Sequence, residues 1–136
     1  MLLSTGWARA QAPGATEAPT VGRADIAPRG AVLTDSKGMS LYVLVEDELA
    51  GNKSTCYADD ECTDYWPVVY VEGDPVKPEG IPGVLGVLVR ADFTRQLTYN
   101  GRPLYYYTDD RKPGELTGDR VTDEWGRWLA VPLANP

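Results

Sequence analysis

Histidine is absent from this 136-residue sequence. That absence removes the usual general base near neutral pH and the commonest metal ligand together. Serine–histidine and cysteine–histidine nucleophile pairs are excluded, as are histidine-bound zinc, type-1 copper and histidine-ligated haem, so no cofactor is expected. No run of about 18 apolar residues occurs, and nothing reads as a transmembrane segment. Basic residues are in deficit, with 13 Lys and Arg against 20 Asp and Glu and a net charge of −7. Such a surface repels phosphate backbones and anionic lipid, which argues against nucleic acid and anionic membrane as partners. A capped amphipathic helix is missing too.

What is present is turn-forming and β-prone. Fourteen Gly and eleven Pro interrupt the chain often, and eight Tyr, four Trp and many Val fill the stretches between. This pattern favours short strands and an all-β fold, at a length that suits one domain. Strands are expected over Ala31–Asp35, Ser40–Val45, Tyr65–Val71, Val84–Arg90, Gln96–Tyr99, Arg102–Thr108 and Trp125–Val131. Asn100-Gly101 is the strongest hairpin-turn dipeptide among them. Alternation predicts Leu41, Val43 and Val45 on one buried face, with Leu104 and Tyr106 in the matching place further on.

At the N-terminus, Met1-Leu2-Leu3 through Trp7-Ala8 reads as the tail of an apolar region. It runs into Ala10-Gln11-Ala12, an A-x-A match to signal-peptidase specificity. Residues 1–12 are therefore expected to be a signal-peptide remnant whose true start lies upstream, and the protein is expected in the periplasm or outside the cell. An Ala/Pro-rich tail is the alternative. Residues 13–29 read as a flexible leader and 30–136 as a single domain.

Leu41-Tyr42-Val43-Leu44-Val45-Glu46-Asp47 aligns without gaps on Leu104-Tyr105-Tyr106-Tyr107-Thr108-Asp109-Asp110, 63 residues later. A turn-flanked strand precedes each copy, and Trp follows each: Trp66-Pro67-Val68-Val69 in one, Trp125 and Trp128-Leu129-Ala130-Val131 in the other. The chain thus divides into two divergent repeats, 31–71 and 84–133. Two copies are too few for a solenoid, and a small sandwich or barrel with pseudo-two-fold symmetry is the simpler arrangement.

These residues resemble a secreted-repeat family of predicted bacterial lipoproteins with a Y-x-[FWY]-x-x-D motif. Tyr105, Tyr107 and Asp110 match it in full. The first copy keeps Tyr42 and Asp47 but has Leu44 at the aromatic position. The run Thr98-Tyr99-Asn100-Gly101-Arg102-Pro103-Leu104-Tyr105 and the spacing from Cys62 to Trp66-Pro67 are similar as well. The resemblance implies an exported protein without an assigned activity. Relatives near cytochrome or cupredoxin domains would imply an accessory role in redox assemblies.

Tyr105 and Tyr107 share one face of a strand, with Asp110 in the turn beyond. They could form an aromatic and acidic site for a sugar or cation. Alternatively the rings pack within the sheet and Asp110 binds turn amides. A motif repeated at equivalent places in both halves favours the second reading. Cys56 and Cys62 enclose five residues and are expected to pair, contributing about 2 kcal/mol by chain entropy. Their acidic loop disfavours a thiolate and hence a redox role. The acidic loops Asp59, Asp60, Glu61 and Asp64, and Asp119, Asp123 and Glu124, could offer oxygen ligands to calcium, but the D-x-D-x-D-G pattern is missing and solvated charge is the default. Adjacent pairs such as Asp109-Asp110 are ordinary turn chemistry and carry little weight as glycosidase acids.

The reading that emerges is a non-catalytic exported module that binds or scaffolds another envelope protein. An accessory subunit of a membrane redox assembly and a carbohydrate-binding module using Trp and Tyr faces remain as alternatives.

Overall fold

A computed structural model describes residues 18–133. The expected signal-peptide remnant and the first part of the leader lie outside the described residues. Eight short strands and two short helices follow in the order β1 (Val21–Ile26), β2 (Gly30–Asp35), β3 (Tyr42–Leu44), α1 (Val45–Leu49), α2 (Cys62–Tyr65), β4 (Leu85–Val89), β5 (Arg95–Tyr99), β6 (Arg102–Pro103), β7 (Thr122–Asp123) and β8 (Gly126–Ala130). They form three small antiparallel sheets, β1-β2, β3-β8-β7 and β4-β5-β6. The all-β, two-repeat architecture expected from the sequence is the one observed.

Each repeat opens with a hairpin. β1 pairs with β2 from Val21↔Asp35 to Ile26↔Gly30, and β4 with β5 from Leu85↔Tyr99 to Val89↔Arg95. Side chains close the following turns. The Asp35 carboxylate accepts the amides of Lys37 and Met39, both at 2.9 Å. Asn100 and Gly101 adopt φ of 50° and 84°, the left-handed pair that a two-residue hairpin turn requires. β1 corrects the sequence reading: residues 21–26 belong to a paired strand rather than to a flexible leader extending to residue 29. With only Val21 and Ile26 as large apolar residues among the six, they were hidden, because an edge strand needs only one apolar face.

The two repeats meet through exchanged strands. The middle segments, β3 and the stretch after β6, touch at Tyr42 and Tyr105, whose amides donate reciprocally to each other's carbonyls at 2.8 and 2.9 Å. Of the strands expected over Arg102–Thr108 and Tyr65–Val71, the first is regular only in β6 and the second reduces to isolated bridges, with Tyr65 closing α2. The last segment of each repeat then pairs inside the other. β3 runs against β8 with Leu44 opposite Trp128, while the Tyr106 amide donates to Pro67 and Thr108 to Tyr65. Leu33 donates to Val131 in one place, and Leu97 to Val69 in the other. Antiparallel pairing of this kind joins the halves by backbone hydrogen bonds as well as by packed faces.

Because these middle segments are covered on both sides, their side chains feed two cores. Leu41, Val43 and Leu104 face a cluster with Leu33, Val69, Leu97 and Val131, against which Tyr106 packs. Tyr42, Leu44 and Tyr105 face the other, with Trp66, Trp128, Cys56 and Cys62. Burial on both faces explains why Tyr42-Val43-Leu44 reads as an unbroken apolar run. The expected strand through Val45 ends one residue early. Val45 is only half-buried and opens α1, where Glu46, Asp47 and Glu48 occupy a first turn that favours acidic residues.

Candidate functional site

The motif residues converge at the centre of the second core, and they do so crosswise. The Tyr42 hydroxyl, from the first repeat, donates to the Asp110 carboxylate of the second at 2.5 Å. The Tyr105 hydroxyl donates to Asp47 of the first at 2.7 Å. Each carboxylate turns its other oxygen back to its own repeat. Asp47 accepts the Thr55 amide at 2.8 Å and its hydroxyl at 2.5 Å. Asp110 accepts the Thr117 amide at 2.9 Å and its hydroxyl at 2.6 Å. The two threonines were not singled out in the sequence, although each follows its aspartate by a nearly constant interval of eight or seven residues.

Asp47 is 1% exposed and Asp110 7%, so both carboxylates sit inside the protein. Burial, with the bond to Asp110 next in weight, pushes the Tyr42 hydroxyl well above its ordinary pKa. Burial and the Asp47 charge do the same to Tyr105. Both hydroxyls therefore remain donors. Burial also raises the Asp47 carboxyl, against the lowering by Thr55, Tyr105 and the Arg90 charge. Around this half the polar groups continue: Ser54 lies 2.8 Å from the Tyr105 hydroxyl, and Arg90 reaches Ser54, Gln96 and the Cys56 carbonyl. In the other half the Gly118 amide donates to the Tyr42 hydroxyl at 3.1 Å.

Next to the two tyrosines stands an aromatic column. Trp66 and Trp128 stack with centroids 3.9 Å apart and planes 4° from parallel. Tyr42 meets Trp66 edge-on, and Tyr105 meets Trp128 in the same way. Asp123 fastens the pair, one oxygen accepting the Trp66 indole N–H and the other that of Trp128, both at 2.9 Å. Tyr107 extends the column, stacked on Trp66 at 4.1 Å. Leu44 holds the equivalent place opposite Trp128, which accounts for the degenerate first motif: that position packs on an indole and needs only an apolar group.

Where the column reaches the surface, an open cleft of about 310 Å³ lies between α2 and the β7–β8 hairpin. Tyr65, Tyr107 and Trp125 wall it above Trp66, and Glu61, Asp123 and Glu124 bring carboxylates to it. Sequence reasoning placed these residues in acidic loops, a motif and the starts of two strands without joining them. They come from three segments far apart in the chain, so spacing carried no signal.

The remaining acidic residues scatter. Asp119 chelates the Arg29 guanidinium at 2.8 and 3.0 Å and accepts the Ala130 amide. Burial works against that carboxyl's charge, but these partners outweigh it and hold the carboxyl below the usual range. Asp60 accepts the Cys62 amide at 3.2 Å. Among the described residues no group of three or more carboxylates or thiols is placed to hold a metal ion.

Cys56 and Cys62 form a disulfide, with Cα atoms 5.3 Å apart, and both are buried in the second core. Replacing both with Ala should lower stability by about 2 kcal/mol in urea melts, since the bridge closes only a short loop. The domain should still fold, because the cores supply most of the burial. Two titratable thiols in the unreduced protein would contradict this account.

A family described as a secreted repeat of unknown function matches residues 24–70 and again residues 86–131. The first match begins inside β1, and each spans one structural repeat. No curated protein and no solved structure matches the chain. Among the described residues no helix is long and apolar enough to cross a membrane. The two matches together cover more than half of the sequence, so this protein is an exported member of that secreted-repeat family, built from two interlocked copies.

Proposed function

We propose that the protein is a non-catalytic module that binds another component of the cell envelope through the aromatic cleft beside Tyr107, and that the Tyr–Asp motif serves the fold. The observation that carries this reading is a division between two sets of groups. Tyr42, Tyr105, Asp47 and Asp110 are saturated by one another and by Thr55 and Thr117, which leaves them nothing to offer a substrate. Tyr65, by contrast, is 51% exposed beside Trp125, with ring centroids 5.6 Å apart. Exposed rings grouped in a concave site with a few polar groups are the usual form of a binding pocket.

The test is co-sedimentation with cell-envelope fragments. The wild-type chain should pellet with them, and a Tyr65→Ala/Trp125→Ala variant should remain in solution. That variant should melt within about 0.5 kcal/mol of wild type if the rings only line the surface. Equal pelleting of the two proteins, or failure of wild type to pellet, would overturn the proposal.

A further inference from the structure

We propose that the cleft walled by Tyr65, Tyr107 and Trp125 is a receptor for an alkylammonium group, with Glu61 and Glu124 at its rim. This deepens the binding-module reading and rests on it.

The aromatic faces come first. An ammonium group carrying alkyl substituents is attracted to the negative face of an aromatic ring while burying its carbon shell against it. Three rings from separate segments meet in this cleft, above a fourth, Trp66. Trp66 is the floor only, since Trp128 and Tyr107 cover its two faces, and the rings offered to a ligand are Tyr65, Tyr107 and Trp125. Asp123 itself is fixed by four donors, the two indoles and the amides of Trp125 and Gly126, so its charge is part of the wall.

The charge of the site chooses among ligands. No Lys or Arg lines the cleft, and all of its ionisable residues other than tyrosine are carboxylates. An anion would be repelled. A neutral sugar could hydrogen-bond to the carboxylates and to the Tyr and Trp donors, but only a cation also gains from the carboxylates' charge. Burial, followed by the charge of Asp109 and its hydrogen bond, raises the Tyr107 hydroxyl, with Asp123 and Asp110 adding to the effect. The surroundings of that ring are therefore negative, as a cation requires.

The internal repeat offers a comparison. Leu44 and Arg127 occupy the places equivalent to Tyr107 and Tyr65, and Leu44 is fully buried. Packing on the indole is satisfied there without a ring. Tyr107 and Tyr65 therefore exceed what the fold demands, and they do so together, in the half that has the cleft.

Titration of the full chain by calorimetry and tryptophan fluorescence tests this. Choline should bind saturably, with Kd on the order of 1 mM for a single alkylammonium group. Its uncharged isostere 3,3-dimethylbutan-1-ol should bind about tenfold more weakly or worse. Phosphocholine and Nα-acetyl-Nε-trimethyllysine amide present the same trimethylammonium group as a lipid headgroup and as a modified protein side chain, and whichever of the three binds most tightly names the natural source. Tyr107→Leu, which copies the other repeat, should remain folded and lose about tenfold in choline affinity. Glu61→Gln/Glu124→Gln should also fold and bind more weakly. Equal affinity for choline and its isostere, binding of chitin or glucan oligomers without choline, or no choline binding at 50-fold the expected Kd would each overturn the assignment. If those results came with envelope pelleting that still depended on Trp125, the binding-module reading would survive and only the cation would fall.

Discussion

Asp110→Ala is expected to lower the unfolding free energy by about 3 kcal/mol, because it strands three donors at once in the interior. The Tyr42 hydroxyl, the Thr117 amide and the Thr117 hydroxyl all end on that one carboxylate. A buried donor without an acceptor costs roughly 1 kcal/mol or more, and truncation also opens a small cavity. Asp47→Ala should behave alike, stranding the Tyr105 hydroxyl and both Thr55 donors. The crosswise geometry makes a sharper demand. A double-mutant cycle between Tyr42→Phe and Asp110→Ala should show coupling of about 1–2 kcal/mol, whereas Tyr42→Phe with Asp47→Ala should be additive to within about 0.5 kcal/mol. Urea melts of the single and double variants supply every value. Unchanged melting of both Asp variants would make the motif, rather than the cleft, the first place to look for a ligand.

Dividing the chain in the connection between repeats, near residue 76, should abolish folding of either part. The last segment of the first repeat has its backbone partners in the second, through Pro67 with Tyr106, Val69 with Leu97 and Leu104, and Val71 with Arg95. The reverse holds for β8 on β3 and for Val131 with Leu33. A lone repeat would expose these backbone groups together with half of the stacked tryptophan pair. Unpaired buried backbone and lost apolar burial leave too little to oppose chain entropy in a unit this small. Circular dichroism of each half should show an unordered chain, and mixing equimolar halves should restore the β signal and the tryptophan fluorescence of the intact protein. A half that folds as a monomer would show that the exchanged pairing is dispensable.

Local chemistry made several elements legible. Asn100-Gly101 announced its turn because few other pairs tolerate two left-handed residues in succession. The repeat was visible because an ungapped seven-residue match preserves side-chain direction along a strand. Cys56 and Cys62 are the two cysteines of an exported chain, which left no choice of partner. β1 was less visible, since Val21–Ile26 contains Gly22, Arg23 and Asp25, and its strand character comes from pairing with β2 rather than from its own propensity.

The sequence by itself determined that this is an all-β chain of two related repeats, carrying a twice-used Tyr–Asp pair and no histidine chemistry. Only the tertiary structure decided which tyrosine meets which aspartate. Within either copy the motif spans six residues, and nothing local distinguishes a hydroxyl that bonds its own aspartate from one that bonds its counterpart. Strand exchange settles it by bringing Tyr42 and Tyr105 face to face, which sets each hydroxyl beside the other repeat's carboxylate. The cleft likewise exists only in three dimensions. Glu61 and Tyr65, Tyr107, and Glu124 and Trp125 lie on three distant segments, and they meet because the stacked tryptophans hold the ends of the two repeats together.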